Sequence, residues 1–221
     1  MTKVFITIAA MSLIFGACSS DNGRKVEANE AQIINVQKSE STIELVSVDK
    51  RSNIDWRASH LGGTGKRFGK ISLKNATVLV NNNEMTNGKF IIDMRSFTVD
   101  NFGEDKKSEE KLSGHLQSAD FFDVVNFPIS TFEISKVNYS KSNGFNSEIT
   151  GNLTIKNVTK SITFLANVSV SGDVVSIESE DFAVDRRSWG LTYNVEGSVG
   201  VPAEYLISND IGFTIDVIVS K

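Results

Sequence analysis

Few residues in this chain have types and spacings suited to chemistry. Its 221 residues include two histidines, His60 and His115, and one cysteine, Cys18. The histidines stand far apart, and neither belongs to an H-x-x-x-H or comparable metal-ligand spacing. There is no G-x-S-x-G elbow to raise a serine nucleophile and no glycine-rich loop to cradle phosphate. The carboxylates fall on the polar positions of alternating segments, where contact with water accounts for them. We therefore expect no catalysis, no cofactor and no metal.

The cysteine has a different use. Lys3 gives a positive start, and Val4 to Phe15 is apolar except for Thr7 and Ser12. That run is too short to span a bilayer and reads as a secretory signal. It ends in Phe15-Gly16-Ala17-Cys18, which resembles the lipobox of bacterial lipoproteins, with Phe15 in place of the more usual aliphatic residue. The resemblance implies that residues 1–17 are a signal peptide and that Cys18 carries acyl chains. It places the protein in the cell envelope, held to a membrane by its N-terminus. Ser19 stands where an aspartate would resemble an inner-membrane retention signal. The expectation is thus the outer membrane, facing the periplasm or the surface. A lone cysteine also excludes an internal disulfide.

A net charge of −4 gives no electrostatic footprint for nucleic acid or for an anionic membrane surface. With 40% hydrophobic residues, the chain can build a packed core without disulfides. Residues 19–41 are polar and lack aromatics. With Cys18 they read as a lipidated, flexible tether over 18–41. A short strand at Ile33–Val36 is the alternative for part of it. Residues 42–221 then form the folded domain.

In that domain the hydrophobic period is two. Ile54, Trp56 and Ala58 alternate with Asp55, Arg57 and Ser59. Phe90, Ile92 and Met94 do the same, as do Phe164, Ala166 and Val168, and Phe213, Ile215 and Val217. Such segments are strands with one apolar face. Turn signals separate them at Asn81-Asn82-Asn83, Asn87-Gly88, Ser142-Asn143-Gly144 and Ser171-Gly172-Asp173. Residues 104–116 break the pattern and predict one exposed helix, with Lys106 and Glu110 paired at i,i+4. Eight to ten antiparallel strands close into a barrel or split into a sandwich. The pattern alone leaves open whether a barrel interior is filled or hollow.

Four motifs occur in order. They are Ser59-His60-Leu61-Gly62-Gly63 with Gly65 to Gly69; His115 to Val124 leading to Asn126-Phe127-Pro128; Gly151 to Lys160; and Asp185-Arg186-Arg187-Ser188-Trp189-Gly190-Leu191. Together they resemble the YceI-like family of bacterial periplasmic lipid-binding proteins, over roughly Glu44 to Val219. Gly114 and Asn157 depart from the family pattern, the one standing for an aspartate and the other for a glycine. The resemblance implies an all-β fold, an eight-stranded antiparallel lipocalin-like barrel with one inserted α-helix. It implies a hollow interior that holds an isoprenoid, quinone-like or fatty lipid.

A hydrocarbon tail offers no hydrogen bonds, so apolar side chains should line its pocket. The candidates are Trp56, Phe68, Phe90, Ile92, Met94, Leu153, Ile155, Phe164, Val168, Phe213 and Ile215. His60, Arg67, His115, Asp185 and Arg186, taken from the motifs, are candidates to hold a head group; arginine's fork of donors suits phosphate or carbonyl. Phe121 and Phe122 are expected to pin the helix to the barrel. The competing expectation is a structural or stress-related surface lipoprotein with a filled barrel. A homodimer is left open, and nucleic acid is not an expected partner.

Overall fold

The alternating segments form strands, and their order along the chain is their order around a closed wall. The protein is described from a computed structural model covering residues 19–20, 22–36 and 38–221. The signal segment and Cys18 lie outside the described residues. Three short strands come first, β1 (Ser19–Ser20), β2 (Gly23–Lys25) and β3 (Asn29–Glu30). The first stave of the wall is bent and comprises β4 (Ile43–Leu45), β5 (Ser47–Val48) and β6 (Asn53–Ala58). Then follow β7 (Arg67–Asn81), β8 (Glu84–Asp93), helix α1 (Lys106–Gln117), β9 (Ile129–Asn138), β10 (Ser147–Ile155) and β11 (Val158–Ser171). The seventh stave is bent into β12 (Val174–Ser179) and β13 (Phe182–Asp185), and β14 (Asp210–Ser220) is the eighth. Each stave pairs antiparallel with the next, and β14 closes on β6 through Phe213↔Trp56 and Ile215↔Ile54. The result is the eight-stranded antiparallel barrel with one helix that the sequence led us to expect.

Turn chemistry fixes the hairpins. Asn82 and Asn83 join β7 to β8 at φ of 52° and 62°, and Lys156 and Asn157 join β10 to β11 at 48° and 62°. Two successive left-handed residues match the twist of a tight hairpin, and asparagine tolerates that conformation well. Asn157 thus does the conformational task of the glycine it replaces. Asn87-Gly88, expected as a turn, lies inside β8. A Cβ on Gly88 would stand 2.9 Å from the Phe90 ring and 3.1 Å from Ile134, so this glycine makes room inside the wall.

The helix begins two residues later and ends one residue later than its charge pattern suggested. Asp105 caps it by accepting from the Ser108 N–H, and Lys106 pairs with Glu109 at 2.7 Å rather than with Glu110. Only Leu116 of the helix is buried. Buried Phe121, Phe122 and Val124 follow it and hold it across one end of the barrel.

The segment read as a free tether is laid against the barrel over residues 22–32. The seventh stave bends at Glu180-Asp181, so β13 parts from the first half of β11. The N-terminal chain fills that space, with β2 parallel to β13 and β3 antiparallel to β11. Val26 is buried there, and Arg24 makes a two-pronged bond to Glu180. Gln32 exchanges hydrogen bonds with Asn152. Ile33 and Val36 are exposed and belong to no strand.

The end of the barrel away from the helix is solid. Leu45, Val78, Met85, Val168, Val175 and Val219 are all buried there. Beside this plug the Tyr139 hydroxyl accepts from the Met85 N–H at 2.7 Å and donates to the Met85 carbonyl at 3.2 Å. Burial pushes its phenol up to about 12. An unfolded tyrosine loses its proton near pH 10, so the native state holds the proton longer. Stability is therefore unaffected below about pH 10 and falls as pH rises from there toward 12. Urea midpoints across that range should decline more steeply for the parent than for Tyr139→Phe; parallel slopes would show that the burial has no such consequence.

Candidate functional site

Above the plug the barrel is hollow. A chamber of about 80 Å³ runs along its axis, and among its lining residues only Ser130 carries a polar side chain. Phe90 and Ile92 from β8, Leu153 and Ile155 from β10, Phe164 from β11, and Phe213 and Ile215 from β14 face it, with Met94 just beyond β8. All eight are among the expected lining residues, six from alternation and Leu153 and Ile155 from the Gly151–Lys160 motif.

The alternation did not single out the belt of rings they belong to. Phe90, Phe132, Phe164, Phe182 and Phe213 follow one another around the lumen, with centroids 6.4, 5.6, 4.7 and 5.9 Å apart. Between Phe132 on β9 and Phe164 on β11 lies Gly151 of β10. A Cβ there would come within 2.5 Å of the Phe132 ring. The glycine lets the ring lie flat against the wall instead of crossing the lumen. Phe132 and Phe182 occupy inward positions of their strands, and that parity was the signal available in the sequence.

Two of the proposed lining residues lie elsewhere. Phe68 is 50% exposed, on the outer face of β7, because Gly69 and Ile71 take the inward positions. Val168 points inward but belongs to the plug, below the chamber. Alternation gives the face of a strand and not the height along the barrel.

On the side of the helix lies a vestibule of about 470 Å³, adjacent to the chamber, and Phe122 and Phe213 line both spaces. Trp56 faces the vestibule rather than the chamber. Its indole N–H donates to the Thr98 carbonyl at 2.9 Å, and its ring packs 4.6 Å from Phe97. That bond requires Gly69, since a Cβ there would sit 2.0 Å from the Thr98 oxygen.

The polar candidates divide. His60, Arg67 and His115 line the vestibule. His115 is held edge-on by Phe121 and Tyr193, at 5.1 and 4.7 Å, and its Nε2 lies 3.2 Å from Asp120. Arg67 stacks over Phe102 at 4.8 Å and donates to the Lys66 carbonyl. Lys111, Tyr193 and Tyr205 line the same space and were not anticipated. They sit on the helix and on loops, where no periodicity marks a facing residue.

Arg186 and Asp185 are structural, which corrects their assignment to a head group. Arg186 borders the vestibule but is 1% exposed. Its guanidinium donates to the carbonyls of Ser208, Leu191 and Ile207. Burial lowers its pKa to about 10, so it stays charged at neutral pH with its donors turned into the protein. Asp185 does not line the vestibule. It caps the turn Arg186–Trp189 by accepting from the Arg187 N–H, and the Arg187 side chain bonded to it holds its carboxyl below the usual range.

The arrangement can enclose an apolar chain and present a few donors to whatever lies at its open end. Among the described residues no group of three or more His, Cys, Asp or Glu side chains converges as a metal site.

Known proteins agree with this architecture. In solved structures, the fold of Burkholderia cenocepacia BcnA superposes with a TM-score of 0.57 at 16% identity, covering 78% of this chain and 99% of that one. A polyisoprenoid binding domain from Saccharophagus degradans superposes with a TM-score of 0.54 at 12% identity, covering 80% and 98%. In sequence, a UPF0312 protein of Pseudomonas aeruginosa is 44% identical over 59 residues, and Protein YceI of Salmonella arizonae is 42% identical over the same length. Those matches span 27% of this chain and 29% of each relative, so the match covers under a third of their length. The model of the YceI-like domain matches residues 35–219, which takes in every stave of the barrel, and the chain belongs to the YceI-like domain family.

Proposed function

We propose that this protein binds, without catalysis, the tail of an isoprenoid or similar amphiphilic lipid in its chamber and holds the head group in the vestibule. The observation that carries this reading is the apolar, ring-belted chamber beside a mainly apolar vestibule that carries a few polar side chains. Gly88 and Gly151 give the Phe90 and Phe132 rings room to pack against the wall. The Saccharophagus degradans domain of the same fold is a polyisoprenoid binding domain, which supports the same ligand class here.

The energetics suit a carrier. Burying a tail from water contributes roughly 0.8 kcal/mol per methylene. Tens of carbons would then exceed the practical ceiling of about 20 kcal/mol for non-covalent binding. Such lipids start in a bilayer, however, and passage from bilayer to barrel is nearly neutral. Packing and head-group contacts then decide loading and release.

A membrane anchor at Cys18 would keep the barrel at its source of lipid, since two acyl chains suffice for stable attachment. In a bacterial host, Cys18→Ser should move the protein from the membrane to the soluble fraction; unchanged fractionation would remove the anchor from this reading. Binding itself is tested by native mass spectrometry of the protein purified from its own host, followed by uptake from vesicles. The reading requires one lipid per barrel, and a protein that retains none and takes up none refutes it.

A further inference from the structure

At one seam of the barrel wall the gap between two staves is filled by another part of the chain. β10 and β11 pair without a gap from Ser147↔Ala166 to Ile155↔Val158. Along its other edge β11 meets β12 only from Ala166 onward. Its first half faces β13 across a slot, and residues 22–30 fill that slot. Ile162 and Phe164 on one edge of the slot, and Phe182 on the other, are also walls of the chamber. A single layer of side chains separates this inserted segment from the space for the tail.

We propose that residues 22–30 are a detachable stave, and that the slot beneath them is a lateral entrance through which a lipid chain passes between bilayer and chamber. The inference rests on the lipid-binding reading and adds a route to it. The stave has a short backbone ladder, and the buried Asn22 side chain donates to the Asp210 carbonyl at 3.0 Å. The Arg24 N–H bonds the Asp181 carbonyl and the Val26 N–H bonds the Ala183 carbonyl. β3 contributes two paired residues. Val26 is the one fully buried apolar side chain of the segment. Arg24 grips a mostly buried Glu180 with two bonds, whereas two other ion pairs lie nearer water: Lys25 with Asp210, and Lys160 with a Glu30 that is almost fully exposed. Such pairs hold weakly and are screened by salt.

The position of the chain start fits this role. β1 folds back on β2 with Ser19 opposite Arg24. An acyl anchor at the residue before Ser19 would follow directly on this strand pair. Membrane attachment would turn this side of the barrel toward the bilayer, while the open end is crossed by α1 and its aromatic cluster.

A cross-strand disulfide tests the route. Glu30 and Lys160 are direct partners across β3 and β11, a spacing that suits a disulfide. In the full chain carrying Cys18→Ser, Glu30→Cys with Lys160→Cys pins the stave when oxidised and frees it when reduced. The probe is a pyrene-labelled hexadecanoic acid in phosphatidylcholine vesicles. Oxidation should slow its transfer at least tenfold, leave the amount bound at equilibrium unchanged, and be reversed by reduction. Val26→Asp, which loosens the stave, should speed transfer. Equal rates in both redox states overturn the lateral entrance and leave lipid binding intact. No uptake in either state refutes lipid binding itself, and the entrance with it. Hydrogen exchange of the probe-free protein adds a test that needs no lipid. The amides of Arg24 and Val26 should exchange at least a hundredfold faster than the β10–β11 ladder, and equal protection would make the segment a permanent part of the wall.

Discussion

Ile215→Trp is expected to weaken tail binding about a hundredfold while the barrel still folds. Ile215 faces the chamber from β14, opposite its wall partner Ile54. The chamber is only about 80 Å³, so the extra bulk of an indole takes up most of it. Overpacking a wall of this kind costs about 1–3 kcal/mol of stability, which a barrel with a solid plug at one end can absorb. The binding loss is larger in relative terms. Excluding about four methylenes from the chamber removes ~3 kcal/mol for a probe delivered from water, or about a hundredfold in affinity. Ile215→Ala enlarges the same space and should bind at least as well as the parent. Titration of the pyrene-labelled acid from water measures both variants, and circular dichroism reports the fold. Parent-like affinity in the tryptophan variant would mean that the tail does not enter the chamber.

How far the sequence could anticipate this site depends on which physical rule each residue obeys. Period-two alternation put Phe90, Ile92, Phe213 and Ile215 on the inner face, and all four face the chamber. The same rule failed for Phe68, where the inward neighbour is Gly69 and has no side chain to mark its face. It put Val168 on the right face at the wrong depth. Asn87-Gly88 carries the composition of a turn, yet the glycine answers to the ring of Phe90 and the side chain of Ile134 on the neighbouring strand. The N-terminal segment looked like a tether because it is polar and short of apolar anchors. Its docking depends on an edge that opens only because the seventh stave bends between β12 and β13. No local pattern in residues 22–30 encodes that bend. Asp185 and Arg186 are adjacent in sequence and were paired in expectation, but consecutive residues at a strand end face opposite ways. One turns to Arg187 on the outside and the other to three carbonyls within.

Arg186→Met should lower stability more than any change at the vestibule surface, and this follows from where the arginine spends its donors. It is 1% exposed and ties the turn after β13 to the loop that leads into β14, through the carbonyls of Ser208, Leu191 and Ile207. Methionine fills much of the volume and supplies none of the donors. Each buried carbonyl left without a partner costs about 1–3 kcal/mol. Water entering from the vestibule will satisfy some of them, so the net loss should be about 3–5 kcal/mol. For a chain of this size each kcal/mol lowers Tm by about 2–4 °C, which places the fall between about 6 and 20 °C. Lysine keeps the charge but lacks the fork of donors, so Arg186→Lys should recover only part of the loss. Arg67→Met is the control, because its guanidinium lies over Phe102 at the exposed mouth and its removal should cost about 1 kcal/mol or less. Calorimetry of the three variants decides the matter. If Arg186→Met melted within a degree of the parent and lost lipid affinity instead, the guanidinium would be holding a head group, and its three carbonyl bonds would be incidental.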